Sequence, residues 1–372
     1  MSGMRYSFFV FLFSAVFAMR AFAADTLVCK IDRNRNWAFY GSDKPGANVV
    51  LVNDRLIQRK YDLKCEIRDA KNRSLYELTQ SGFVAPDDSV SISFTFKTAD
   101  PGFYGMSLYN DGHYIMDVVM AYEPDKMKNE NDRGDDFLYF AHRVALGRRD
   151  INPQFVMLRN KELSGRERNV YDFSMVSKGD ERVRGYIAFP KGKQGLKGML
   201  TLVESGKASV NPLADFTAPS DFVEMVLYLN TRGKGDEVIA NSLSDMLLAL
   251  DFLYNRVEVS KSGIYVQGSG HAGAYAFVSS ALWENIAGAV VSSPDFSRFT
   301  DKFSISSISR NVSSPILLGL GLQCDISRLQ ETFLLYNGIG DEKEYFVDPY
   351  NSHIERNRWK YIKEIFIKSL GD

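Results

Sequence analysis

The stretch Ile264-Tyr265-Val266-Gln267-Gly268-Ser269-Gly270-His271-Ala272-Gly273-Ala274 holds residue types suited to acyl transfer. An apolar run enters a tight turn of small residues and leaves through a helical pattern. This is the layout of a nucleophile elbow, whose apex side chain projects over a sheet and whose flanking residues must be small. Sterics choose the apex. With Ser269 there, the residues two positions away are Gln267 and His271, both bulky. With Gly270 there, they are Gly268 and Ala272, both small. The spacing therefore places Gly270 at the apex, and glycine carries no nucleophile. A serine hydrolase also needs a histidine to take the hydroxyl proton and a carboxylate to orient it. The chain has four histidines and three cysteines, so such chemistry rests on His113, His142, His271 or His353. His113 follows an Asn-Asp-Gly turn and His142 stands beside Arg143 on a polar helix face, so both read as solvated. His271 opens the helix after the elbow, where the helix dipole disfavours its charged form, and it reads as filling space near a pocket. No cysteine cluster suits zinc, and no histidine or acid pair has metal-ligand spacing. No metal and no cofactor are expected.

These residues need elements to position them. Residues 1–23 read as an export signal: Arg5, an apolar run over 8–18, and Ala21-Phe22-Ala23 before a cut ahead of Ala24. The run is shorter than the roughly 20 residues a membrane-spanning helix needs. The expectation is a secreted or periplasmic protein with no stable membrane insertion after cleavage. Residues 24–122 read as a β-sandwich, with strands at 48–52, 61–67, 90–96 and 114–122 between turn signals. Cys29 and Cys65 lie in this region, and either pair across strands or stay as buried thiols. Residues 123–136 read as a charged linker.

From 137 to 372 strands and helices alternate. Strands are predicted at 183–189, 198–203, 222–229, 263–267, 286–291 and 316–321. Helices are predicted at 137–146, 238–254, 326–337 and 355–370. Alternation of this kind predicts a mostly parallel, doubly wound α/β sheet with helices on both faces. Arg148-Arg149-Asp150 reads as a surface charge cluster, and Trp283 and Trp359 as packing residues. The chain of 372 residues has 45 basic and 46 acidic side chains and a formal net charge of −1, which argues against nucleic-acid binding.

Several motifs stand in a familiar order. Asn230-Thr231-Arg232-Gly233-Lys234-Gly235 is similar to an Asp-Thr-Arg-Gly-Gln-Gly motif. Ala249-Leu250-Asp251-Phe252-Leu253, Arg256-Val257-Glu258-Val259, Tyr336-Asn337, and Tyr350-Asn351-Ser352-His353 with Glu355 follow. From about Tyr122 onward the chain resembles the acetyl xylan esterase/cephalosporin-C deacetylase family of α/β-hydrolases, some of which carry an N-terminal β-sandwich. The resemblance implies an α/β-hydrolase fold, a carbohydrate esterase ancestry and a homo-oligomer. It puts the nucleophile position on Gly270 and the acid position on Cys324, with Asp325 one residue late. It puts the oxyanion tyrosine near Gly206, where no tyrosine exists, and the catalytic histidine on His353. Arg232 would brace the elbow.

Two readings follow. One is a catalytically impaired relative that binds a carbohydrate or protein partner. The other is an active carbohydrate acetyl esterase, acting on an acetylated carbohydrate or small ester through a relocated Ser269/Asp325/His353 triad.

Overall fold

The computed structural model describes residues 27–32, 37–128, 135–178, 182–229, 235–300, 303–340 and 342–371. The signal stretch 1–23, the motif residues 230–234 and part of the charged segment, 129–134, lie outside the described residues. The chain divides into two units. One runs to Asp100 and includes Tyr104–Tyr122; the other comprises Pro101–Phe103 and everything from Glu123 onward.

The first unit is all β. Its strands are β1 Val28–Asp32, β2 Ala38–Phe39, β3 Gly46–Asn53, β4 Arg59–Asp69, β5 Ser74–Val84, β6 Asp88–Thr95, β7 Gly102–Asn110 and β8 His113–Tyr122. They form a three-stranded sheet, β1-β3-β6, and a five-stranded sheet, β2-β8-β7-β4-β5. On β4, Tyr61, Leu63, Cys65 and Ile67 are buried, while Asp62, Lys64, Glu66 and Arg68 alternate with them. Period-two alternation puts all four apolar residues on one face. That face shares a core with Val49 and Leu51 of β3 and Ile92 and Phe94 of β6, so the two sheets stack as a sandwich. Asp111 and Gly112, with φ of 49° and 77°, make the β7–β8 turn, the left-handed pair that matches strand twist. β5 escapes the sequence patterning because it is an edge strand exposed on both faces. Cys29 and Cys65 sit on different sheets and are free thiols. Burial pushes both thiols up, Cys65 to about 12.

The second unit carries α1 Asp136–Gly147, then β9 Val156–Asn160, β10 Arg168–Val176, β11 Arg182–Pro190, β12 Leu196–Glu204 and β13 Val223–Leu229. Next come α2 Asp236–Tyr254, β14 Val259–Ser269, α3 His271–Leu282 and β15 Ile286–Ser292. The chain finishes through α4 Ser297–Thr300, α5 Ser306–Arg310, β16 Ile316–Gly321, α6 Ile326–Asn337, β17 Lys343–Asp348 and α7 Arg356–Ser369. The sheet order is β17-β16-β15-β14-β12-β13-β11-β10-β9. The run from β17 to β13 is parallel, and β11, β10 and β9 are antiparallel.

On α2, Ile239, Leu243, Leu247 and Leu250 are all buried, as their helical spacing predicts. On the opposite face Met199, Tyr265, Val290 and Leu317 pack against Phe366 and Ile367 of α7. Two expectations change. Within the charged segment, the Asn337 side chain donates to the carbonyls of Pro124 and Met127, and Met127 is buried, so residues 124–127 are folded onto this unit. Arg148 is no loose surface charge: its Nε donates to Asp251 Oδ2 at 3.0 Å, and Oδ1 accepts from Trp283 Nε1 at 3.0 Å. Among the described residues no helix is long and apolar enough to cross a membrane.

Candidate functional site

β14 runs into α3 through one residue, Gly270, with φ 61° and ψ −133°. That conformation strains an L side chain. Gly270 N–H donates to Ser292 O at 3.1 Å, and its carbonyl accepts from Ala274 and Asp295 N–H at 3.1 and 3.0 Å. The small flanks have a direct cause. A Cβ on Gly268 would lie 2.5 Å from Ala272 O, and one on Gly273 3.1 Å from Gly268 O. Over Gly270 itself stand the ends of two flexible side chains. A Cβ there would stand 2.9 Å from Glu204 Oε1 and 3.3 Å from Lys207 Nζ, and Lys207 donates to that same oxygen at 2.7 Å. Both come from the end of β12 and the 3-10 turn Ser205–Lys207, which contains the exposed Gly206.

His271 has a specific partner that sequence reasoning missed. Its Nδ1 lies 3.1 Å from Asp295 O and 3.7 Å from Asp295 Oδ1. Asp295 also accepts from Ser297 Oγ at 2.7 Å and Arg328 Nη2 at 2.7 Å. Burial works to raise this carboxyl, but the Ser297 hydrogen bond with His271 and Arg328 nearby holds it below the usual carboxylate range. Asp295 follows β15 and Arg328 lies on α6, so only the assembled sheet brings them to His271.

The residues that the resemblance put at the acid and base positions, Cys324 and His353, lie past β16 and β17. Cys324 Sγ is 3.8 Å from Asp325 O, and burial pushes its thiol up to about 11, so it stays protonated near neutral pH. Asp325 caps α6: its carboxylate accepts from Ser327 N–H at 2.8 Å and from Ser327 Oγ. The Ser327 hydroxyl bond is the main cause holding Asp325 below the usual carboxylate range. His353 is exposed. Its backbone packs on the end of β16, where a Cβ on Gly321 would lie 2.4 Å from His353 N. Among the described residues no hydrogen bond joins Ser269, Asp325 and His353, and no group of three His, Cys, Asp or Glu is placed to hold a metal.

Ser269 is exposed and instead lines a cavity of about 570 Å³ between the carboxyl ends of β12, β14 and β15, the segment 209–218, and α7. The floor is a polar network on the α7 face of the sheet. Glu224 Oε1 accepts from Thr201 Oγ1 at 2.6 Å and Thr217 N–H at 2.9 Å, and Oε2 from Ala218 N–H at 2.9 Å. Gln267 Nε2 donates to Thr201 Oγ1 and Thr217 Oγ1, both at 2.7 Å. Lys363 Nζ donates to Gln267 Oε1 at 2.8 Å and Thr217 O at 2.7 Å. Burial raises the Glu224 carboxyl and lowers the Lys363 ammonium to about 8.

No family model matches the sequence, and no curated protein matches it. Solved structures do. An acetyl xylan esterase from Paenibacillus sp. R4 has a TM-score of 0.58 at 16% identity, covering 66% of this chain and 98% of that one. Acetyl xylan esterase 1 from Thermoanaerobacterium sp. JW/SL YS485 has a TM-score of 0.58 at 13% identity, covering 67% and 98%. At such identities the likeness speaks for the fold. With its parallel sheet, its strand–glycine–helix turn and these neighbours, the chain has the α/β-hydrolase fold in the form found in acetyl xylan esterases.

Proposed function

We propose that this protein is an exported α/β-hydrolase homologue that does not run serine-esterase chemistry and acts by binding a carbohydrate or protein partner. One observation carries the reading. The elbow apex is Gly270, which carries no nucleophile, and the ends of the Glu204 and Lys207 side chains lie against it. Loss of the nucleophile alone removes on the order of a million-fold of turnover in a well-studied serine protease. The acid position, Cys324, supports the same reading, because a neutral thiol cannot stabilise an imidazolium as a carboxylate does. Export rests on residues 1–23 of the sequence. The carbohydrate partner rests on the fold shared with acetyl xylan esterases.

The test is hydrolysis of p-nitrophenyl acetate and acetylated xylo-oligosaccharides by the purified protein and its Ser269→Ala and His353→Ala variants. The expected rate is indistinguishable from buffer for all three proteins. A wild-type rate that either substitution abolishes would overturn the reading and favour the relocated triad of Ser269, Asp325 and His353.

A further inference from the structure

Elbow chemistry leaves the cavity beside Ser269 unexplained, since Gly270, His271, Cys324 and His353 do not line it. It lies where the sheet order turns back: β13 and β14 flank β12 on opposite sides. In open α/β sheets, ligands bind in the crevice outside the carboxyl ends of the strands at such a switch.

The charged residues that line this cavity are three cations, Arg356, Lys360 and Lys363, against one carboxylate, Asp215. Lys363 lines it and is 3% exposed. Lysine is almost never fully buried unless paired. An ammonium has three N–H donors, and two are taken, both by neutral carbonyl oxygens. Among the described residues no carboxylate lies within 4.0 Å of its Nζ. Glu224 attracts the ammonium from the same network without a direct hydrogen bond to it, and is met by Thr201, the backbone of Thr217 and Ala218, and Arg168 Nη1 at 4.0 Å. The lining acid, Asp215, is engaged by Ser209 and Tyr228. Arg356 and Lys360 precede Lys363 by seven and three residues on α7 and line the same wall, so one helix face carries three cations.

We propose that this cavity binds the oxyanion group, carboxylate or phosphate, of a small hydroxylated molecule, with Lys363 as its buried charge partner and Arg356 and Lys360 as outer ones. Ser269 and Ser292 would offer hydroxyls to the rest of the ligand. The site does not depend on whether the elbow is catalytic.

Calorimetric titration of the purified protein with glucuronate, glucose 6-phosphate and glucose tests it. The expected result is saturable binding of at least one anionic sugar and none of glucose; which anion binds tells carboxylate from phosphate. Lys363→Met should weaken that binding about tenfold or more, as befits loss of a charged hydrogen bond. Lys360→Ala should weaken it by a smaller factor, and, because Lys360 is exposed, it reads the site even if Lys363→Met fails to fold. Failure of both anionic sugars to bind would overturn the proposal. So would equal binding of glucose, or affinity unchanged in both variants.

Discussion

Gly270 and Ser269 are neighbours in the chain, yet their surroundings are built on different terms. Above Gly270 the charges are balanced: Lys207 meets Glu204 at 2.7 Å, and the backbone of the turn is hydrogen-bonded to β15 and to the start of α3. Beside Ser269 there is open space, and the buried cation on its floor has only neutral partners. In the first arrangement an ion pair stands against the turn glycine. The second has a cavity lined by three cations and one carboxylate.

The largest effect that could break this contrast concerns Lys363. Burial lowers its pKa from 10.5 to about 8. Above pH 8 the folded protein releases this proton while the unfolded chain keeps it, so stability rises with pH between about 8 and 10.5. Against Lys363→Met, the wild type should gain up to about 3 kcal/mol across that window, read from urea midpoints at pH 7, 8.5 and 10. A flat difference would mean that Lys363 is not buried as a cation. Next in size is the apex. Gly270→Ser places a side chain in a strained conformation and against Glu204, and should cost about 1–3 kcal/mol, with no ester hydrolysis gained. Activity in that single variant would show that the Glu204–Lys207 pair yields easily.

Smaller effects sharpen the comparison. Asp325→Ala removes the α6 cap and should cost about 1 kcal/mol while leaving ligand binding at the cavity unchanged. An effect on binding would tie Asp325 to the site instead of to its helix. Glu204→Gln removes an ion pair whose lysine is mostly exposed, and should change stability by less than about 1 kcal/mol, measured by thermal unfolding in low and high salt.

The elbow was legible in the sequence because it is local. Small residues at Gly268, Ala272 and Gly273 exist so that strand and helix can touch, and their spacing gives the apex without any fold. Several strands that packing buries were legible too, from Tyr61–Ile67 on β4 to Ile316–Gly321, though β7 and β10, interior strands with buried residues, were not. β5 and β17 were not, because an edge strand has no strict burial pattern to display. His271 illustrates the same limit at the site: nothing near it in sequence announces Asp295 or Arg328.

What the sequence determined by itself was the alternation of strands and helices after residue 137 and the glycine at the turn, since both follow from side-chain size, type and short-range spacing; the acid position at Cys324 came from the family resemblance. Only the tertiary structure decided that Glu204 and Lys207 cover the apex, that Asp325 is committed to a helix cap, and that Glu224, Gln267 and Lys363 meet beneath one cavity. Those three come from β13, β14 and α7, and hydrogen bonds reach only about 3 Å, so their meeting depends on the strand order that places β14 beside β12 and lays α7 across that face.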